Sequence, residues 1–111
     1  FKLSIATNAS VEFANKMIRH LEIESHFDMV IGANCVKNPK PHPDMIISTI
    51  NSLNINNEKA ILVGDRHKDT RAADAANIDS ILVSWGFTNH SNKENVITTA
   101  NQLQNKLLSL R

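Results

Sequence analysis

The chain has 111 residues and a net charge of +1, with acidic and basic residues interspersed along its length. This length suits one small domain, and a hydrophobic content of 41% is typical of a globular core rather than of disorder. The charge pattern gives no electrostatic footprint for nucleic acid, and no apolar run reaches the roughly 20 residues of a membrane span. A single Cys excludes an internal disulfide, and the first ten residues do not resemble a secretion signal, so we expect a cytoplasmic protein.

The first half of the chain contains two predicted strands and two predicted helices. Residues 3–7 form an apolar run that predicts a strand, and Ser10 then offers an N-cap for a helix. That helix carries apolar residues at helical spacing on one face, namely Phe13, Met17 and Leu21. A second strand is predicted over residues 27–32, and Pro43 suits the first position of a second helix. The buried face of this helix is predicted to contain Ile46, Ile50 and Leu53.

The second half of the chain continues the alternation of strands and helices. An unbroken apolar run at residues 60–63 predicts a strand covered on both faces, followed by an alanine-rich helix over residues 67–77. A fourth strand is predicted over residues 80–85 and a final helix over residues 93–108. Four residues of that helix are predicted to face the core, namely Ile97, Ala100, Leu103 and Leu107. The alternation predicts one α/β domain over residues 1–111, a Rossmann-like three-layer α/β/α fold with a parallel sheet.

Polar residues follow three of the predicted strands. Thr7 and Asn8 close the first strand, Lys40 lies in the loop after the second, and Asp65 follows the third. Because ligands bind beyond the carboxyl ends of parallel strands, we expect these residues to converge. Asp65 and Asp69 offer hard oxygen ligands that suit Mg²⁺ better than Zn²⁺. Lys40 can neutralise phosphate oxygens and Thr7 can donate its hydroxyl, so the group is typical of a phosphoryl-transfer site.

Three segments carry these residues in a fixed order, and they read SIATN, KPHPD and ILVGDRHKD. Together they resemble three motifs of the haloacid dehalogenase-like hydrolases, especially the branch with phosphoglycolate phosphatases and β-phosphoglucomutases. The resemblance implies a phosphatase acting on a small phosphorylated metabolite such as phosphoglycolate. Thr7 and the Asn8 backbone would bind phosphate, and Lys40 would balance charge on the nucleophile and phosphate. Asp65 would bind Mg²⁺ directly, and Asp69 would be a further ligand or a residue that supports one.

Two features depart from the family pattern. Asn77 stands where many relatives have Gly before the last strand, and Asn tolerates the left-handed conformation well. The larger departure is that the family's nucleophile is an Asp of a DxD motif, and this chain contains no DxD. In the family that motif ends a first core strand, which lies between the strands bearing Thr7 and Asp65, and a cap domain follows it. We therefore expect a partial core that is inactive alone and that forms a homo-oligomer or pairs with the missing N-terminal half.

Two other functions compete with this interpretation. A non-catalytic α/β binding module would share the fold, and its polar strand ends would carry no chemistry. A phospho-accepting receiver domain also places acids, a Thr or Ser and a Lys at the carboxyl edge of a parallel sheet. In receivers the acids come first along the chain, whereas here Thr7 precedes Lys40 and Asp65 follows both, which disfavours a receiver.

Overall fold

The computed structural model describes residues 1–84 and 96–109, in which strands and helices alternate. The elements in chain order are β1 (Ser4–Ala6), α1 (Val11–His20), β2 (Met29–Ile31), α2 (Asp44–Leu53), β3 (Ile61–Gly64), α3 (His67–Ala75), β4 (Asp79–Val83), β5 (Val96–Ile97) and α4 (Ala100–Leu108). Every strand pair in these residues is parallel, which confirms the predicted α/β class. No helix among them has the length and apolar character needed to cross a bilayer.

The strands form two parallel sheets in the described part of the chain. β1 pairs with β2, so that Ser4 lies opposite Met29, and β4 pairs with both β3 and β5. β1 and β3 do not pair with each other, and both line a cleft of about 1040 Å³. The predicted sheet is therefore interrupted between β1 and β3, at the place where the resemblance puts the absent family strand.

Helices cover both faces of the sheet that contains β3. Leu62 packs with residues of α2 and α3 and of the segment after α3, namely Ile46, Ile50, Ala72, Ala73 and Ala76. Its neighbour Ile61 packs against the buried cluster of Ile81, Val83 and Ile97, and Leu103 and Leu107 of α4 pack against the same cluster. Because successive strand residues point to opposite faces, α2 and α3 lie on one face and α4 on the other. This arrangement agrees with the predicted three-layer α/β/α architecture.

The helix ends follow local signals in the sequence. Ser10 caps α1, since its Oγ accepts a hydrogen bond from Phe13 N at 3.2 Å. α2 begins one residue after Pro43, whose carbonyl oxygen accepts from Ile47 N at 2.9 Å. Asn77 follows α3 with φ of 59°, in the left-handed region, so Asn serves there in place of the Gly found in many relatives.

The apolar face of α1 predicted from its spacing is exposed. Phe13 is 57% exposed, Met17 45% and Leu21 57%. α1 instead packs through Ala14 and Ile18, which are buried on the neighbouring face. The helical spacing is therefore as predicted, but α1 contacts the rest of the described structure through the face that carries Ala14 and Ile18.

Helices cover the third strand on both faces, as predicted, but its residues are not fully buried. Val63 is 38% exposed, and Ile61 and Leu62 are only half-buried. The reason is that β3 has a strand neighbour on one side only, with the cleft on the other. A strand's own apolar sequence cannot reveal whether its neighbours are present.

The last helix is shorter than predicted, because residues 96–97 form β5 and α4 begins at Ala100. Thr99 caps this helix: its Oγ1 accepts from Gln102 N at 3.2 Å, and Gln102 Oε1 accepts from Thr99 N at 3.3 Å. This capping box was readable in the sequence, and the β-branched residues at 96–99 favour extended backbone over helix.

The core-facing side of the last helix is confirmed only in part. Leu103 and Leu107 contact the core as predicted. Ile97 is buried, but in β5 rather than in a helix, and Ala100 is exposed at the start of α4. The predicted end of the fourth strand at residue 85 and the predicted start of the helix at residue 93 lie outside the described residues.

Candidate active site

The residues predicted to form a site meet at the carboxyl ends of β1 and β3. Thr7 directly follows β1, and Asp65 directly follows β3. Lys40 lies between the two strand ends, where its Nζ donates to Ala6 O at 2.8 Å and to Asp69 Oδ1 at 2.7 Å. One ammonium group therefore joins the end of β1 to the first turn of α3. Lys40 and Asp65 line the cleft, and Thr7 directly follows Ala6, which also lines it; Thr7, Lys40 and Asp65 are called the rim below.

Asp69 is the buried charged side chain of the described structure, at 6% exposure. Its Oδ1 accepts from Lys40 Nζ, and its Oδ2 accepts from the backbone amides of Asp65 and Arg66 at 3.2 Å each. Both carboxylate oxygens thus have donors within this chain. This geometry favours the supporting role of Asp69 over direct metal ligation, because the carboxylate already fixes the backbone that carries Asp65.

Gly64 allows Asp69 to reach this position. A Cβ atom built on Gly64 would lie 2.5 Å from Asp69 Oδ2 and 2.6 Å from Asp69 Cγ, closer than real Cβ atoms approach their neighbours. The end of β3 must therefore lack a side chain for the carboxylate to fold over it. Packing against Asp69 therefore explains the glycine at the end of β3, and the predicted chemistry concerns the neighbouring Asp65.

Asn8 contacts Lys40 in a way that sequence reasoning missed. Asn8 Oδ1 accepts from Lys40 N at 3.0 Å, and Asn8 Nδ2 donates to Lys40 O at 2.9 Å. The side chain therefore ties the loop after β1 to the loop after β2. The sequence predicted only a backbone role for Asn8, because nothing local indicates a partner 32 residues away.

The loop after β1 is fixed by short-range hydrogen bonds. Thr7 N donates to Ile31 O at 3.1 Å, and Thr7 Oγ1 accepts from Ala9 N at 3.1 Å. Ala9 O in turn accepts from Ala33 N at 2.8 Å, and a Cβ atom on Gly32 would lie 2.7 Å from the same oxygen. The Thr7 hydroxyl oxygen is thus an acceptor within the turn, and because this bond does not use the hydroxyl proton, the hydroxyl can still donate to a ligand.

A second polar pair holds the start of α1. Asn34 Oδ1 accepts from Val11 N at 2.9 Å, and Asn34 Nδ2 donates to Glu12 Oε2 at 2.9 Å. The backbone amide of Glu12 and then the Asn34 side chain lower the pKa of the Glu12 carboxyl below its ordinary value. The helix that follows Thr7 is therefore anchored to the loop after β2.

The described residues offer few ligands for a metal ion. They contain no group of three or more His, Cys, Asp and Glu side chains able to hold one. Of the two predicted ligands, Asp69 is engaged by Lys40 and two amides, which favours its supporting role. A contribution of one or two carboxylates fits Mg²⁺, which keeps several waters and binds substrate phosphates.

The sequence is similar to haloacid dehalogenase-like hydrolases. The sequence profile of that family, described as haloacid dehalogenase-like hydrolase, matches residues 1–83. A phosphoglycolate phosphatase of Colwellia psychrerythraea is 34% identical over 87 residues, covering 78% of this chain and 38% of that protein. The phosphoglycolate phosphatase of Nitrosococcus oceani is 29% identical over 113 residues, covering 96% of this chain and 50% of that protein. The chain thus spans half or less of the length of these curated relatives.

Solved structures share the fold. One of a "predicted phosphatase" from Clostridium acetobutylicum has a TM-score of 0.87 and 28% identity, covering 98% of this chain and 53% of that one. One of a HAD-superfamily hydrolase from Geobacter sulfurreducens has a TM-score of 0.81 and 24% identity, covering 96% and 52%, and shows the fold alone. With the profile matching most of the chain, these findings confirm the resemblance drawn from the motifs. The chain belongs to the haloacid dehalogenase-like hydrolase family, in the branch that contains the phosphoglycolate phosphatases.

Proposed function

We propose that the protein is a magnesium-dependent phosphoric monoester hydrolase that acts on a small phosphorylated metabolite such as phosphoglycolate. The observation that carries this proposal is the meeting of Thr7, Lys40 and Asp65 at one rim. Catalysis of phosphoryl transfer consists mostly of positioning and charge neutralisation, and a hydroxyl, an ammonium and a carboxylate supply both. The relatives named phosphoglycolate phosphatase support this class of substrate.

The phosphate group would bind between the loop after β1 and Lys40. The Thr7 hydroxyl and the backbone amide of Asn8 would donate to its oxygens. Lys40 would neutralise its charge without moving, because Ala6 O and Asp69 already hold its Nζ in place. Donors that are fixed before the substrate arrives need no reorganisation during the reaction, which is the main advantage of such a site.

Asp65 would hold the magnesium ion, and Asp69 would act through the backbone of Asp65. The ion would supply charge stabilisation at the phosphoryl oxygens when bound. Asp69 Oδ2 accepts from Asp65 N at 3.2 Å, so the carboxylate that pairs with Lys40 also limits where the Asp65 side chain can lie. The same residue therefore keeps the lysine and the metal ligand at a fixed separation.

The position of the cleft between β1 and β3 supports the proposal that a further strand binds there and carries the nucleophile. β1 and β3 each have one strand neighbour in the described residues, and the cleft lies between them. A strand inserted parallel to both would end beside Lys40 Nζ. We propose that this strand comes from the N-terminal half of the complete protein and carries the nucleophilic Asp that the motif resemblance implies.

Two expectations follow for the chain on its own. Without the nucleophile no aspartyl phosphate can form, so residues 1–111 alone would hydrolyse no phosphate ester. In the part of the chain that the structure describes, β1 and β3 each have one edge without a strand partner. Such edges are able to pair with another molecule, so the isolated chain would form homo-oligomers. Light scattering that finds a strict monomer at high concentration would count against the second expectation.

The test joins residues 1–111 to the part of the Colwellia phosphoglycolate phosphatase that precedes its matched region. Release of phosphate from phosphoglycolate is then measured with magnesium present. Lys40→Met and Asp65→Asn are each expected to lower kcat by about 100-fold or more, because each removes charge stabilisation from the reacting group. Lys37→Met and Asp74→Asn are matched controls at exposed positions, expected to stay within about twofold.

Two outcomes would contradict the proposal in different ways. An active joined protein whose Lys40→Met and Asp65→Asn variants match the controls would show that the rim is not the catalytic site. A joined protein that binds inorganic phosphate but hydrolyses none of several phosphate esters would favour the non-catalytic binding module.

A further inference from the structure

We propose that Asn8 is a positioning residue, whose side-chain amide clamps the backbone of Lys40 and thereby sets the place of Lys40 Nζ at the rim. This inference rests on the proposed function and extends it, because the family resemblance gave Asn8 only a backbone role toward phosphate. The clamp consists of two hydrogen bonds, from Lys40 N to Asn8 Oδ1 at 3.0 Å and from Asn8 Nδ2 to Lys40 O at 2.9 Å. One side chain thus satisfies both backbone polar groups of the lysine, as a neighbouring strand would.

The loop that carries Lys40 needs such a clamp. Lys40 lies between β2 and α2, outside both elements. On the α2 side the loop is held by Asp44, whose Oδ2 accepts from Asn38 N at 3.1 Å. On the β1 side, the Asn8 side chain binds the Lys40 backbone directly through its two hydrogen bonds. The loop is therefore fixed from two directions, and Asn8 provides the anchor that acts on Lys40 itself.

The position of the lysine backbone decides where its charge lies. A lysine side chain is a flexible four-carbon stem that ends in a point charge, so the charge is placed only when the stem's origin is fixed. In the described structure Lys40 Nζ reaches Ala6 O and Asp69 Oδ1 together, 2.8 Å and 2.7 Å away. Because Asn8 directly follows Thr7, the clamp also fixes the distance between the proposed phosphate-binding hydroxyl and the ammonium.

The experiment measures the accessibility of each lysine amine in the 111-residue chain, without substrate or metal. The chain is treated with a trace amount of acetic anhydride, and mass spectrometry gives the acetylation rate of each lysine. Asn8→Ala is expected to raise the rate at Lys40 about tenfold, since the loss of two hydrogen bonds to the Lys40 backbone loosens a side chain that is only 10% exposed. Rates at the exposed Lys37 and Lys59 should not change, and Asn51→Ala at an exposed position of α2 is the matched control.

Two further variants decide between positioning and a general effect on folding. Asn8→Asp keeps the acceptor for Lys40 N and loses the donor to Lys40 O, so an intermediate rate at Lys40 is expected. In the joined protein, Asn8→Ala should lower kcat about tenfold and should have no further effect on top of Lys40→Met.

Specific results would overturn the inference. These are an unchanged acetylation rate at Lys40 in Asn8→Ala, an equal rise at every lysine, or additive losses of kcat with Lys40→Met. The acetylation rates do not depend on activity. A failure of the proposed function, seen as full hydrolysis by Lys40→Met, is therefore distinguishable from a failure of the clamp.

Discussion

Replacing Asp69 by alanine is expected to destabilise the described structure more than any other change at the rim. The carboxylate is 6% exposed and is the charged partner of Lys40, whose side chain is 10% exposed. Its removal leaves the ammonium buried without a counter-charge and takes the acceptor from the amides of Asp65 and Arg66. Removal of one partner from a buried pair costs about 3–5 kcal/mol, so we expect the free energy of unfolding to fall by about 3 kcal/mol or more.

Urea unfolding followed by circular dichroism measures this effect. With a slope of about 1.5 kcal/mol per molar urea, a loss of about 3 kcal/mol moves the midpoint down by about 2 M. Asp74→Ala removes an exposed Asp from the same helix and should change the free energy of unfolding by no more than about 0.5 kcal/mol. Lys40→Met combined with Asp69→Ala should cost less than the two single changes added, because the stranded charge is removed with its partner.

A free-energy loss for Asp69→Ala no larger than that of the Asp74→Ala control, with an unchanged slope, would refute a stabilising role for the pair. Such a result would mean that Lys40 finds water or another acceptor at no cost. The Lys40–Asp69 pair would then stabilise the fold no more than a solvent-exposed ion pair does, despite its burial.

Three smaller predictions concern other parts of the chain. Gly64→Ala should lower the free energy of unfolding by about 1–3 kcal/mol, because its methyl group would collide with the Asp69 side chain; unchanged urea unfolding would contradict the packing argument. Glu22→Gly should raise that free energy by up to about 1 kcal/mol, since Glu22 has φ of 59° after α1, and a loss of stability would count against this. Asn34→Ala should raise the pKa of Glu12 toward its ordinary value in an NMR titration. Because the pKa of Glu12 is lower in the folded than in the unfolded chain, its contribution to stability is present at neutral pH and is lost as pH falls through the lowered pKa. The Asn34→Ala variant should therefore lose less stability in acid than the unchanged chain. An unmoved Glu12 pKa would show that Asn34 does not lower it.

Local sequence signals predicted most of the elements of this fold. The polar cap at Ser10 and the apolar runs of the strands act over a few residues, so they are readable without the structure. The rim residues could also be selected from the sequence, because ligand-binding residues gather beyond the carboxyl ends of parallel strands and the residues after β1 and β3 follow such ends. α4 begins at Ala100 and not at residue 93 as predicted, although the capping signal at Thr99 is present in the sequence.

Contacts between distant segments could not be predicted in this way. The side chain of Asn8 finds the backbone of Lys40 across 32 residues, and no local pattern encodes such a partner. The engagement of Asp69 by Lys40 likewise decides whether that carboxylate ligates a metal or supports a neighbour, and residue type alone left both open. The exposure of β3 depends on which strands surround it, which its own apolar sequence does not report.

The rate of phosphoglycolate hydrolysis, measured in parallel for residues 1–111 alone and for the joined protein, tests the central claim most directly. That claim is that Thr7, Lys40 and Asp65 form the phosphate and metal side of a site whose nucleophile arrives on a strand bound in the cleft. We predict magnesium-dependent turnover by the joined protein, its loss in Asp65→Asn, and none by the chain alone. Robust hydrolysis by the chain alone, or full activity of the joined Asp65→Asn variant, would contradict the account.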